Sequence, residues 1–463
     1  MASIERYTRE FGRNTSIALP VMLGYLGHVA VGIVDNIFVG WLDPVNLAAV
    51  SLANSALFFI MSFGIGFSYA ITPLVSEAEG SGKKLRMKKI LYNGLFLNTA
   101  TGLIMVAMSM LIPPFLRWAN QPPEVVELAV PYVRIVGFSL LFVMIFQAYK
   151  QFSDGLGRTL YPMISTLIAN VLNVIISYVL IFGKLGIAPM GIYGAAYGTL
   201  TARVLTTLII HLYVRMLPVL SVYSKGINRK LFSLPVIRKM LSLGIPSGFQ
   251  GVFEMGIFSA TVWIAGTLGS VAQAANQIAL QIASLSFMVF IGFGVTATIR
   301  VGNMKGKNDF AGLKRIAVSV LLQVFLFELL FTLSIILLRY ELPHFFLSEY
   351  NDPGKEQMAA EIYRTAVHLL VIVGFFQIAD GFQVVLQGVL RGLQDVVIPF
   401  YLTFISYWVV AFPVSWLLSR RMGAGGIWYG LLTGLSLASV FLGLRLFALL
   451  KKTRGQIPKA DSL

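Results

Sequence analysis

SIALPVMLGYLGHVAVGIVDNIFVG (residues 16–40) and SLGIPSGFQGVFEMGIFSATVWIAG (242–266) decide how this chain folds. Each is apolar over a length that, as a helix rising about 1.5 Å per residue, crosses a hydrocarbon layer of about 30 Å. Each also carries a single carboxylate, Asp35 in the first and Glu254 in the second. The two are copies of one pattern. Sliding the chain by 226 residues aligns 16–80 with 242–306 without a gap, and fourteen positions are identical, among them Pro20/Pro246, Ala48/Ala274, Gly66/Gly292, Phe67/Phe293, Thr72/Thr298 and Gly80/Gly306.

Outward from these stretches the same texture continues. Of the 463 residues 57% are hydrophobic and 12% charged, with a mean hydropathy of +0.79. Soluble domains carry roughly twice that charge, so the composition is that of a membrane protein. Apolar runs predict spans at 15–40, 47–73, 90–116, 126–149, 160–183, 192–214, 240–268, 273–299, 316–338, 361–390, 396–419 and 425–450. Residues 1–14 are polar and lack the pattern of a cleavable signal, so span one is read as the insertion signal itself.

Charge placement sets the topology. Segments on the N-terminal side of the membrane hold 26 of the 36 Lys and Arg, the opposite loops 6, and the spans the remaining 4. Basic residues mark the cytoplasmic side, so both termini and the 215–239 segment are expected in the cytoplasm, with Lys355 outside. The +16 net charge is thereby a topology signal, not a nucleic-acid footprint. The expected fold is an all-α integral membrane protein of twelve transmembrane helices in two six-helix pseudo-symmetric lobes around a central cavity. Its parts are a cytoplasmic N-terminal segment (1–14), an N-lobe (15–218), a linker (219–239), a C-lobe (240–450) and a cytoplasmic tail (451–463).

A third carboxylate, Asp380, interrupts the apolar run VIVGFFQIADGFQVVLQG (371–388). A charge at the bilayer centre costs about 2.5–3.5 kcal/mol on insertion scales, so such residues face a bundle interior or a water-filled cavity and mark ion or proton paths. The acids break the internal symmetry: Asp35 aligns with Thr261, and Glu254 with His28. Asn36, Asn54, Asn170 and Asn173 add polarity to the N-half spans. Glu328 in span nine has no evident partner in sequence, Arg203 in span six is placed to counter Asp35, and Pro413 in span eleven is a hinge candidate. A proton, a sodium ion or a cationic molecule could each neutralise the acids and would compete for them, which is the physical basis of exchange. With no cysteine in the chain, thiolate chemistry and disulfides are excluded. HExxH, Walker and GxSxG motifs are also missing from the sequence, which therefore reads as a carrier rather than an enzyme, with no cofactor.

The runs IALPVMLGYLGHVAVGIVDNIFVG (17–40), LAAVSLANS (47–55), ITPLVSEAEGSG (71–82), SLGIPSGFQGVFE (242–254), AANQIAL (274–280), ATIRVGNMKG (297–306) and ADGFQVVLQGVLRGLQD (379–395) resemble the multidrug and toxic compound extrusion (MATE) transporters, and look closest to their NorM branch. The resemblance covers nearly the whole chain. It implies a V-shaped cavity between the lobes and export of lipophilic, often cationic compounds in exchange for Na+ or H+ across the cell (inner or plasma) membrane, by a monomer. It assigns Glu254 and Asp380 to the cation-binding site, a Na+ site if sodium is the coupling ion. Asp35, Asn36, Asn173, Gln277 and Phe376 fall among the residues for substrate binding or conformational coupling. Two departures stand out. Some members carry a tyrosine where this chain has Phe376, and proton-coupled members carry an aspartate where it has Ser177. A flippase for lipid-linked sugars on the same scaffold is the alternative reading.

Overall fold

The computed structural model describes residues 2–118, 121–226, 229–347 and 356–454, and among these every regular element is helical. Lys355 and the tail beyond Arg454 lie outside the described residues. Among the described residues, eleven helical stretches are long and apolar enough to cross a membrane. The remaining predicted span, the seventh, is the 34-residue helix Leu234–Thr267, less apolar because Gln250 and Glu254 sit in its middle.

The spans run past their apolar cores because their polar ends keep helical geometry. Span one is Phe11–Gly40, span five Leu160–Phe182, span six Ile192–Met216, span eight Ser270–Gly306, span nine Phe310–Leu337, span ten Glu356–Gly392 and span twelve Ala424–Arg454. Three predicted single spans are broken. Span two is Pro44–Ser68 followed by Ile71–Gly80, span three Lys84–Ser109 followed by Ile112–Trp118, and span four Pro123–Phe138 followed by Leu140–Gly155. Helix ends carry the expected local devices. Asp43 caps span two by accepting from the Asn46 backbone N–H at 2.8 Å, and Asp309 does the same for span nine through Gly312; such caps satisfy donors that have no partner inside the helix. Span five stops at Gly183, whose left-handed φ of 66° suits glycine.

Span eleven is the irregular one. Val397–Phe404 is α-helical, Ile405–Ala411 is π-helical, and Phe412–Met422 is α-helical again. Pro413 gives the cause. It has no N–H to donate and its ring crowds the carbonyl four residues back, so the turn before it widens.

By packing, the chain divides into two compact units, Leu19–Val252 and the pair Met1–Ala18 with Phe253–Leu463. The cuts fall inside spans one and seven, so each of those helices contributes to both units. In the Leu19–Val252 unit, spans five and six pack together and span four packs against spans two, three and six. In the other unit, span ten is the most buried of the long helices and packs against spans eight, nine and twelve. Gly388 lets span ten approach so closely that a β-carbon there would collide with the Gly294 carbonyl.

The first residues are bound tightly within that second unit. Glu10 receives Arg300 Nη2 at 2.6 Å and Arg315 Nε at 2.9 Å. Asn14 is fully buried, accepting from Arg300 and donating to Ser319 Oγ at 3.1 Å. Ser319 in turn donates to the Tyr7 carbonyl at 2.8 Å, and Gln323 Nε2 to Thr15 Oγ1 at 2.7 Å.

Candidate functional sites

Within the Leu19–Val252 unit a cavity of about 370 Å³ opens among spans one, two, four, five and six. Asp35 and Asn36 line it from span one, Asn54 from span two, Asn170 and Asn173 from span five, and Arg203 from span six. These polar side chains, scattered in sequence, share one wall system because each sits on an inward helix face. Asp35 is half-buried and its Oδ1 has no hydrogen-bond partner among the described residues. The Ser177 hydroxyl and the Arg203 guanidinium both lie close enough to act on its charge. Arg203 itself is held by donating from Nη1 to Ser139 Oγ at 2.7 Å, at the break in span four. Ser177 thus stands beside Asp35, offering a hydroxyl where a second carboxylate would make an acidic pair.

The cavity is not uniformly acidic. His28, Lys150 and Asp154 line it as well, with Lys150 Nζ bonded to Asp154 Oδ2 at 2.8 Å and lying over the Tyr25 ring at 5.7 Å from its centroid. Formal charges of Asp35, Asp154, Arg203 and Lys150 cancel. A cation entering this space meets a carboxylate that already has a tethered counter-charge.

The second site has the opposite character. Glu254 on span seven lies close enough to act on the charge of Asp380 on span ten, and Arg391, three turns further along span ten, acts on Glu254. Asp380 is 2% exposed and its Oδ1 has no hydrogen-bond partner among the described residues. Around it the core is apolar: Ile257, Phe376, Trp428 and Ala411 are all buried in one cluster. Phe376 belongs to this wall, with its ring edge-on to Trp428 at 5.3 Å and to Phe258 at 6.3 Å.

Three features here were not placed by sequence reasoning. Glu328 is fully buried against Gly381, where a β-carbon would collide with its carboxylate. Asp380 acts on its charge, and although the Phe382 N–H is within reach, neither carboxylate oxygen has a well-formed hydrogen bond among the described residues. Gln377 and Gln383, three residues either side of Asp380, are fully buried with both amide atoms unpartnered. Tyr407, on the π-helical turn, is fully buried with an unpartnered hydroxyl and lies in the field of both Glu254 and Asp380. The three-residue spacing along span ten would have flagged the glutamines. Nothing in the sequence announces Tyr407. Gln277 does not join either group: it is exposed on span eight, while its neighbour Asn276 is buried and accepts from Trp428 Nε1 at 3.0 Å.

The MatE family model matches residues 20–179 and 246–417, one block in each sequence half. The chain belongs to the MatE family. A relative named "Probable multidrug resistance protein NorM", from Rhizobium meliloti (strain 1021), is 32% identical over 444 residues, covering 96% of this chain and 94% of its own length. Among solved structures, the eukaryotic MATE transporter AtDTX14 superposes with a TM-score of 0.85 at 19% identity, over 98% of this chain and 100% of that one. A MOP superfamily transporter from Pyrococcus furiosus Vc1 (DSM3638), whose structure is described by a reversed polarity of its binding pocket, gives a TM-score of 0.85 at 20% identity, over 95% of this chain and 96% of that one. This MatE protein is therefore a multi-pass membrane transporter of the secondary active, multidrug-efflux kind, and not an enzyme. Because pocket polarity varies on one fold, the side chains described above, rather than the fold, must carry the argument about cargo.

Proposed function

We propose that this transporter exports amphiphilic cations in exchange for Na+ or H+, with Glu254 and Asp380 holding the coupling cation and Asp35 engaging the cargo. The observation that carries this reading is the contrast in accommodation between the two carboxylate sites. The space beside Asp35 is large enough for an organic molecule, lined by amides, aromatic rings and one available carboxylate oxygen. Rings and a carboxylate together favour a cation with an apolar body. Asp380 is buried and Glu254 half-buried, in largely apolar surroundings that strengthen charge interactions and favour a small ion. In this reading Asn36 and Asn173 help orient the cargo and Gln277 and Phe376 act in conformational coupling. The bodies that move in transport are the 15–218 and 240–450 lobes. The protein works as a monomer in the cell membrane with both termini cytoplasmic.

The deciding experiment is efflux of a fluorescent lipophilic cation from proteoliposomes under separately imposed sodium and proton gradients. Gradient-driven cation efflux supports the proposal. Movement of a lipid-linked sugar without cation efflux would overturn it in favour of the flippase.

A further inference from the structure

We infer that the Tyr407 hydroxyl is an oxygen ligand of the cation held at Glu254 and Asp380, and that with the amide oxygens of Gln377 and Gln383 it makes a shell suited to a dehydrated alkali cation. The inference rests on the assignment of those two acids as the coupling site and goes further by naming the neutral ligands and the kind of ion.

The argument begins with what a proton does not need. A proton is carried by one carboxylate oxygen and calls for no surrounding neutral acceptors. A hard metal cation stripped of water needs about six oxygens, and two carboxylates cannot easily surround it. Buried polar atoms are almost always hydrogen-bonded, and exceptions call for an explanation such as an ion. Such exceptions occur in both units of this chain, and several fall around Asp380. Tyr407, Gln377 and Gln383 are each fully buried, each lacks a partner for its side-chain polar atoms among the described residues, and all belong to the region of Asp380. Gln377 and Gln383 flank Asp380 at three-residue spacing, which keeps them close on the helix surface.

Tyr407 reaches the site through the local backbone. It lies on the π-helical stretch Ile405–Ala411, and π turns redirect side chains and recur at functional positions. The next residue, Trp408, fixes this turn to the helix that bears Glu254: its ring lies so near Gly256 that a β-carbon there would strike it. The hydroxyl and Glu254 are thus tied to one packed contact. Phe376 contributes no oxygen and closes the wall against Trp428.

The test uses the full-length purified protein. Trp408 and Trp428 report on the site by fluorescence during titration with NaCl, at fixed pH and with ionic strength held by choline chloride. The wild type should show a saturable sodium response, and Tyr407→Phe, which deletes one hydroxyl, should weaken sodium affinity by about tenfold, as for loss of one ligand contact. In proteoliposomes, sodium-driven efflux by Tyr407→Phe should recover at correspondingly higher sodium. Unchanged sodium affinity in Tyr407→Phe overturns the inference. So does a wild type that responds to pH but not to sodium, while leaving the two acids in place as a proton site. Glu254→Gln should abolish the sodium response, and its persistence there would overturn the underlying site assignment instead. Should Tyr407→Phe fail to fold, Gln377→Leu carries the same test from span ten, with unchanged sodium affinity again overturning the neutral-oxygen shell.

Discussion

The Asp35 cavity and the Glu254–Asp380 cluster are both built from carboxylates inside apolar helices, yet they treat those charges in opposite ways. Asp35 is half-buried beside about 370 Å³ of space, with Arg203 supplying a built-in counter-charge. Asp380 is sealed at 2% exposure, amid other buried acceptors and among aromatic rings. In the reading proposed above, the difference is one of partner size. A site with room and a replaceable internal cation suits exchange of one organic cation for another arrangement of its own side chains. A site with a buried carboxylate and several unpartnered oxygens suits a small ion, and duplication of a common scaffold explains how one chain came to hold both.

The sharpest way to break this contrast is to neutralise the Glu254–Asp380 site. Glu254→Gln and Asp380→Asn should each reduce gradient-coupled efflux to background, while binding of a fluorescent cation to purified protein persists. Loss of cargo binding in these variants would merge the two sites into one. Asp35→Asn should do the converse, weakening cargo affinity by about tenfold, as expected for a lost charge-assisted contact, with the ion response measured by tryptophan fluorescence retained. Arg203→Gln sharpens the comparison by inverting the sign. With the tethered competitor gone, equilibrium binding of a cationic dye should tighten by roughly threefold, the scale of a partly solvated ion pair; weaker binding would show that Arg203 serves the cargo directly. The smallest effect belongs to Pro413→Ala. Restoring the N–H should let the widened turn rewind, giving a modest gain in thermal stability of roughly 1 kcal/mol and about a twofold slowing of turnover; a variant that retains the wild-type turnover would confine the proline to packing.

The fold was legible because its cause is periodic and repeated. Long apolar runs, a bias in Lys and Arg, and a 65-residue self-match each register in sequence without reference to distant contacts. Asp35, Asp380 and Glu254 were legible for a related reason, since a carboxylate in an apolar run is conspicuous. What escaped was relational. Glu328 was visible but partnerless until Gly381 brought it beside Asp380, and a glycine's role as a receiving surface depends on which helix faces it. Tyr407 is one of 18 tyrosines, and only the wider turn ahead of Pro413 places its hydroxyl near the acids. Arg203 was placed opposite Asp35 from the sequence, but Lys150 was not expected among the lining residues, because helix-face assignments across several spans must be combined before the charges of a cavity can be summed.

The clasp of Glu10 and Asn14 on Arg300, Arg315 and Ser319 has a consequence in time. Its hydrogen bonds join residues 286 to 312 positions apart, so the segment made first must wait for its partners to be synthesised. At about 5–20 residues per second, that delay is on the order of half a minute. During it Glu10 and Asn14 have none of the contacts that later bury them, and contacts of such long sequence separation form late. Residues 10–15 are consequently made well before the partners that bury them, and the clasp cannot close until span nine has been synthesised.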